Sequence, residues 1–425
     1  MRRCPQFAVR FVSFLAFLGA LSSQTVEAQQ PASRFAADRL ARIDRFMQQY
    51  VDSNRIGGAV GFVMIDGKIA YQHAVGWADK DANRRMTAGA MFRIASQTKA
   101  ITSVALLSLV EEGKIAVSDP VSKYIPSFAH SRVMLDTGNN VIVPARRAIT
   151  IRDLLTHTAG ISYGVDRRVA SIYAEKGFGT AAGYGWYTAD KNEDICDSME
   201  RLGTLPFVAQ PGTRFVYGYN LDVLGCVIER VSGMGLDKFI RERVTAPLKM
   251  NDTYFFLPTE KRNRLVEVFA SDSSDHAVRA PDGARGQGHY VDGPRKSFAG
   301  GAGLVSTAGD YARFLQMILN GGQLDGVRIL APTTVALMTH DQIGAIYGTA
   351  GLGFGFGFET VEKFGAKGMF SAGTFAWGGA YGSAYQVDPS ERLIMVFMIN
   401  QVPISTDIAT KFSTLVYSAL MNKRN

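Results

Sequence analysis

Residues 96–112, SQTKAITSVALLSLVEE, constrain the fold more than any other stretch of this chain. Ile101, Val104, Ala105, Leu107, Leu109 and Val110 cover most of the circumference of the helix that this segment predicts. A helix that is apolar on all sides offers no face to water and belongs inside a core. Gly113 supplies its stop. The segment opens with Ser96-Gln97-Thr98-Lys99, and a lysine one turn into a buried helix needs a reason.

The spacing supplies one. Positions i and i+3 share a helix face, so Lys99 reaches Ser96 Oγ. The helix N-terminus adds positive potential that favours a developing anion at the serine. The Ser96 N–H has no intrahelical acceptor there and can serve an oxyanion. Desolvation disfavours the ammonium form of Lys99 and lowers its pKa, as a base or proton shuttle requires. The competing reading is a serine N-cap followed by a lysine that snorkels to water.

A second serine competes for the role of nucleophile. GISYG, residues 160–164, fits the G-x-S-x-G pattern of many esterases. A nucleophile elbow needs a strand before the serine and a helix after it. Ser162 follows a short helical pattern, ITIRDLLTH, with Thr150 as its cap, and no apolar-periodic helix starts after Gly164. With 44 glycines in the chain, the pattern arises easily by chance.

The flanks suggest how the buried helix is wrapped. A helix is expected over 34–50. Ala59–Ile65 and Lys68–Trp77 are β-rich runs joined by Asp66-Gly67, a strong hairpin signal. Residues 311–319 are amphipathic, and 272–296 read as loop. Phe354, Phe356 and Phe358 alternate with glycines, which predicts a strand with its phenyl rings on one face and close backbone approach on the other. Strands near 371–377, 382–387 and 392–399 and a helix over 405–421 close the chain. The order predicts a discontinuous α/β domain of residues 33–113 and 291–425, with a mostly helical insertion of residues 114–290.

Residues 1–28 read as a secretory signal peptide. Arg2, Arg3 and Arg10 precede the short apolar run Phe11–Leu21, and Val26-Glu27-Ala28 offers a cleavage site. An uncleaved anchor is the competing reading. Cleavage near Ala28 makes the protein exported, periplasmic or secreted, with no stable membrane insertion afterwards. The formal charge falls from +8 to +6 on losing three Arg and one Glu. The remaining cations are scattered, without a basic stripe, which argues against nucleic-acid binding. Cys196 and Cys226 remain. An exported protein can pair them, but two separate buried thiols are expected, since free cysteine is among the most buried residue types. None of the six histidines shows a metal-binding spacing.

Four blocks taken together carry a resemblance: FRIASQTK (92–99), TIRDLLTHTAG (150–160), QPGTRFVYGYNLDVLG (210–225) and GGAGLVSTAGDYARF (300–314). They resemble the serine β-lactamase-like superfamily, and within it family VIII carboxylesterases, relatives of class C β-lactamases and D-alanyl-D-alanine peptidases. The resemblance spans nearly all of the chain after residue 28. It implies a β-lactamase/transpeptidase-like α/β (α+β) fold, an antiparallel sheet flanked by helices. It implies a catalytic Ser96, Lys99 and Tyr217, the last just before a helix. A Lys99 ammonium beside Tyr217 would favour the phenolate that accepts the Ser96 proton. Class C enzymes carry Tyr-x-Asn. Here Asn220 stands one place late and is read as a helix cap. The family's Lys-Thr-Gly triplet is absent, and its place looks like Trp377-Gly378-Gly379, with the Ala380 N–H as second oxyanion donor beside Ser96. An indole in place of a cation removes a carboxylate anchor and supplies an apolar wall. The implied function is a serine carboxylesterase with an acyl-enzyme intermediate, a small-molecule ester substrate, no metal and no cofactor. A β-lactamase or D-amino peptidase, or a non-catalytic binding protein on the same fold, are the alternatives.

Overall fold

In the computed structural model the described residues are Met1, 34–135, 141–178, 190–283 and 286–422. The expected signal peptide, with Cys4, lies outside them apart from Met1. Among the described residues no helix is long and apolar enough to cross a membrane.

Asp66 and Gly67 both adopt positive φ, 51° and 76°, the conformation a two-residue hairpin turn of matching twist requires. They join β1 (Gly58–Ile65) to β2 (Lys68–Asp79). β3 (Arg84–Arg85) forms one edge of the sheet. The chain returns to the sheet through β4 (Leu352–Phe354), β5 (Glu359–Val361), β6 (Phe375–Gly378), β7 (Gly382–Asp388) and β8 (Leu393–Asn400). The eight strands lie in the order β4-β5-β6-β7-β8-β1-β2-β3, and every neighbouring pair is antiparallel. Residues distant in sequence thus meet at the sheet centre, where Val63 faces Met395.

Each face of the sheet buries a different set of side chains, as period-2 alternation demands. One face sends Ala59, Val63, Met395 and Phe397 against α1 (Ala37–Asp52) and the C-terminal helix 408–419. The other sends Val60, Phe62, Val396 and Met398 into a larger core around α2 (Thr98–Glu111). Every residue from Thr98 to Leu109 is buried. The all-round apolar pattern therefore marks an interior helix, as expected. Its start differs from the expectation. A short 3-10 turn, Ala95–Gln97, precedes the α-helix, and Ser96 sits in that turn. No side chain caps α2, so Ser96 is not an N-cap.

The Phe-Gly run departs from its expected strand. β4 ends at Phe354, and Gly355–Gly357 reverse the chain into β5, with the Gly355 N–H donating to the Phe358 carbonyl at 2.8 Å. Gly357 takes φ 101°, a value open to glycine and costly for other residues. All three phenyl rings are still buried. The expected close approach is real and falls on α2, since a Cβ at Gly357 would lie 2.7 Å from Ser103 Oγ.

α3 (Ile151–Leu155) and α4 (Ile195–Gly203) pack on α5 (Asn220–Ser232), which lies against α2, and α6 (Ala308–Leu319) covers β1 and β8. Thr150 caps α3 as expected, in a reciprocal capping box with Asp153. A correction concerns the cysteines. Cys196 and Cys226 form a disulfide that ties α4 to α5, not two separate thiols. Burial suits both states of cysteine, and the sequence alone could not bring two helices 30 residues apart to one place. A second correction concerns Asn220. It is the first residue of α5, Tyr219 holds the cap position, and the Asn220 side chain serves another purpose described below.

Candidate active site

Ser96 is presented by a strained residue. Ala95 has φ 43°, unusual for a side chain with a Cβ, and it is fully buried. The preceding strand Phe92–Arg93 pairs with Val305–Ser306, and the Ile94 N–H donates to the Leu304 carbonyl at 3.0 Å. From the opposite side, the end of β6 presses on this segment. A Cβ at Gly379 would stand 2.5 Å from the Ile94 carbonyl oxygen, so glycine is the residue that fits. Sheet edge and nucleophile turn are in this way held in contact.

Lys99 lies one turn further on and is 2% exposed, which removes the snorkelling alternative. Its ammonium nitrogen donates three hydrogen bonds: to Ser96 Oγ at 3.1 Å, to Tyr163 Oη at 2.9 Å and to the Gly301 carbonyl at 2.7 Å. Nζ also stands 4.6 Å from the centre of the Tyr217 ring. Three acceptors and an aromatic face compensate the burial of the charge.

Tyr163, a partner of Lys99, is a candidate site residue that the sequence did not single out. It sits in the GISYG stretch, one place after the serine that the pattern singles out. Ser162 is 2% exposed, and its Oγ accepts the Gly164 N–H at 3.1 Å, closing a local turn. The turn delivers Tyr163 to Lys99. Burial and the neighbouring Tyr217, Asp222 and Tyr219 push the Tyr163 phenol well above its usual range, so it stays protonated at neutral pH. The available signal was an aromatic residue fixed between two glycines, and no catalytic spacing marks it.

Tyr217 stands in the loop before α5, where the resemblance put it. The indole N–H of Trp377 donates to Tyr217 Oη at 3.1 Å, so the sheet edge and the loop meet at the phenol oxygen. Tyr217 also packs on His157 at 4.7 Å between ring centres. His157 is fully buried, and burial followed by the Lys99 charge pulls its pKa well below the usual value. Asn220 Nδ2 donates to His157 Nδ1 at 2.8 Å, which leaves the ring proton on Nε2. This is the task Asn220 performs in place of a helix cap. A neutral histidine wedged among Phe215, Tyr217 and Phe354 is a structural support.

The same rings form a continuous wall. Phe354 meets Trp377 at 5.4 Å and Phe215 at 5.0 Å, and Phe215 meets Tyr347 at 5.0 Å. Gly378, Gly379 and Ala380 follow Trp377 at the strand end, all partly exposed. Among the described residues, the Ala380 N–H has no protein acceptor. One group of side chains, Asp194, Cys196 and Glu229, is close enough to share a cation. Cys196 sulfur is committed to the disulfide and offers no thiolate.

Residues 43–413 match the Beta-lactamase family over most of the chain. The chain belongs to the beta-lactamase family. Esterase EstB of Burkholderia gladioli is 33% identical over 382 residues, covering 86% of this chain and 91% of its own. An uncharacterised protein of Mycobacterium tuberculosis is 36% identical over 388 residues, covering 85% and 90%. The solved structure of EstCE1, a hydrolase with promiscuous acyltransferase activity, has a TM-score of 0.76 at 27% identity, covering 91% of this chain and 99% of its own. The expected likeness to family VIII esterases on the β-lactamase/transpeptidase fold is met. Membership and relatives together put the chain among the carboxylic ester hydrolases that use this fold.

Proposed function

We propose that the protein is an exported carboxylesterase that cleaves small esters of short- to medium-chain acids. The observation that carries this reading is the buried Lys99 ammonium nitrogen, 3.1 Å from Ser96 Oγ and over the face of Tyr217. Ser96 Oγ attacks the ester carbonyl carbon, and its proton passes to the Lys99–Tyr217 pair. The Ser96 and Ala380 N–H groups hold the oxyanion. The pair returns the proton to the leaving alcohol as the carbon–oxygen bond breaks. Water, deprotonated by the same pair, then attacks the acyl-enzyme and restores Ser96.

The aromatic wall supports the ester preference. The partly exposed Trp377, Phe215 and Tyr347, backed by the buried Phe354, bury apolar acyl or alkoxy groups, whereas a penicillin carboxylate would meet an indole where relatives of other specificity hold a lysine. Weak opening of cephalosporins remains compatible with the shared acylation groups. The Cys196–Cys226 disulfide supports export, because disulfides persist in oxidising compartments.

The test is initial rates on p-nitrophenyl butyrate for wild type, Ser96→Ala and Ser162→Ala, each checked for folding, with nitrocefin assayed in parallel. Ser96→Ala should lose activity by at least about a thousandfold, while Ser162→Ala keeps the nucleophile and loses only what its turn contributes. A dead Ser162→Ala beside an active Ser96→Ala would refute the mechanism. A nitrocefin rate equal to the ester rate would overturn the substrate class.

A further inference from the structure

Behind Lys99 lies a carboxylate that the mechanism above does not use. Asp222 is in the first turn of α5 and is completely buried. Its Oδ1 accepts the Gly301 N–H at 3.1 Å, and among the described residues its Oδ2 accepts no hydrogen bond. The Gly301 carbonyl is the 2.7 Å acceptor of Lys99, and the Gly300 carbonyl accepts Thr102 Oγ1 at 2.8 Å. The Gly300-Gly301 strap is therefore clamped between two helices, by Thr102 and Lys99 of α2 and by Asp222 of α5. The fit leaves no room for a side chain, since a Cβ at Gly301 would collide with Asp222 Oδ2.

A buried carboxylate with one unsatisfied oxygen is expensive, and a leucine or asparagine would be cheaper if the position only filled space. Helix capping does not explain it, because its oxygen points across to the strap. The charged and titratable groups that act on it are Lys99 from α2, Tyr163 from the GISYG turn, Tyr219 at the start of α5, and Lys191. We propose that Asp222 is a positioning residue which, through Gly301, holds Lys99 against Ser96 and sets the proton affinity of the Lys99–Tyr217 pair. This rests on the serine-hydrolase reading above.

The sign follows from charge. An anion behind the pair favours its protonated, more positive form, so the pair keeps its proton to higher pH. Burial raises the Asp222 carboxyl to about 6, opposed by Lys99 and by the Gly301 N–H, so its charge acts on the part of the profile above about pH 6. Asp222→Asn keeps an oxygen for the Gly301 N–H and removes the charge.

The experiment is the pH profile of kcat and kcat/KM on p-nitrophenyl butyrate for wild type and Asp222→Asn, with thermal unfolding of both. The acid limb of the variant should move to lower pH by about half to one unit, with kcat reduced and KM nearly constant. Superimposed acid limbs would overturn the proposal, since a structural residue would change stability and not the limb. Should Asp222→Asn not fold, Gly301→Ala takes its place. It displaces the carboxylate from behind Lys99, and the proposal expects at least about a tenfold loss of kcat at constant KM. A wild-type profile in Gly301→Ala would refute it. Labelling of Ser96 by a fluorophosphonate separates the two readings. An unlabelled wild type sinks the hydrolase reading itself, and an unshifted limb in a labelled enzyme sinks only the role of Asp222.

Discussion

Lys99 makes its three hydrogen bonds to partners of different kinds: the nucleophile, a phenol and a backbone carbonyl. The phenol can be removed with little loss of shape. Tyr163→Phe should lower kcat by about tenfold to a hundredfold, since a hydrogen bond to a charged group contributes about 1.5–3 kcal/mol. KM for p-nitrophenyl butyrate should change little, because the ring and its packing on Tyr217 remain. An unchanged kcat in steady-state assays would show that Ser96 and Gly301 suffice to hold the amine. At this scale the sequence was legible where chemistry imposes a spacing. Ser96 and Lys99 announce themselves by i, i+3 placement in a helix without a polar face, and Tyr217 and Trp377 by blocks shared with a family. Tyr163 and Asp222 were not legible as functional. Their roles come from contacts across 64 and 79 residues, to Lys99 and to Gly301, and no local pattern records such a contact.

α5 carries the consequences of burial at both ends. Asp222 opens it, and Glu229 lies two turns on, its Oε1 accepting the Leu236 N–H at 2.8 Å. Burial raises the Glu229 carboxyl to about 7. A carboxyl whose pKa is raised on folding favours the folded state below the unfolded value, and that contribution is lost as pH rises through the folded one. Stability from this group should therefore fall between about pH 4.5 and 7 and stay low above it. Glu229→Gln keeps the acceptor for Leu236 and removes the charge. It should stabilise the protein at pH 8 by about 2 kcal/mol and by less at pH 5, as measured by urea unfolding at both pH values. Equal gains at the two pH values would assign the effect to packing. The elements themselves were legible where turn chemistry is strict, as at Asp66-Gly67 and at the Thr150 cap. The Phe-Gly run misled because glycine serves two purposes, close approach and reversal. Alternation of side chains cannot tell a strand from a tight turn between two short strands.

Among whole-molecule features, the disulfide between α4 and α5 closes a loop whose ends are 30 residues apart. On a chain-entropy basis it should stabilise the fold by about 3.6 kcal/mol. Cys196→Ser should lower the midpoint of unfolding accordingly, and the same loss should follow from a reductant in wild type. A midpoint indifferent to both would mean that packing alone holds the two helices. The antiparallel sheet, built from both ends of the chain, followed from the order of hairpin, helix and late strands. The pairing of cysteines did not, because it depends on how two helices of the middle region lie against each other.

Lys99 rides on α2 and Ser96 on the 3-10 turn that leads into it, while Trp377 belongs to a strand towards the margin of the sheet. The two parts meet at one seam, where the Trp377 indole donates to Tyr217 and Gly379 packs on the Ile94 carbonyl. Under the proposed function, changes along β4 and β5 reshape what the cleft admits, whereas a change at the end of β6 is felt at Tyr217 and at the Ser96 turn as well. Edits at the outer strands would therefore be felt locally, and edits at the seam would be felt on both sides at once.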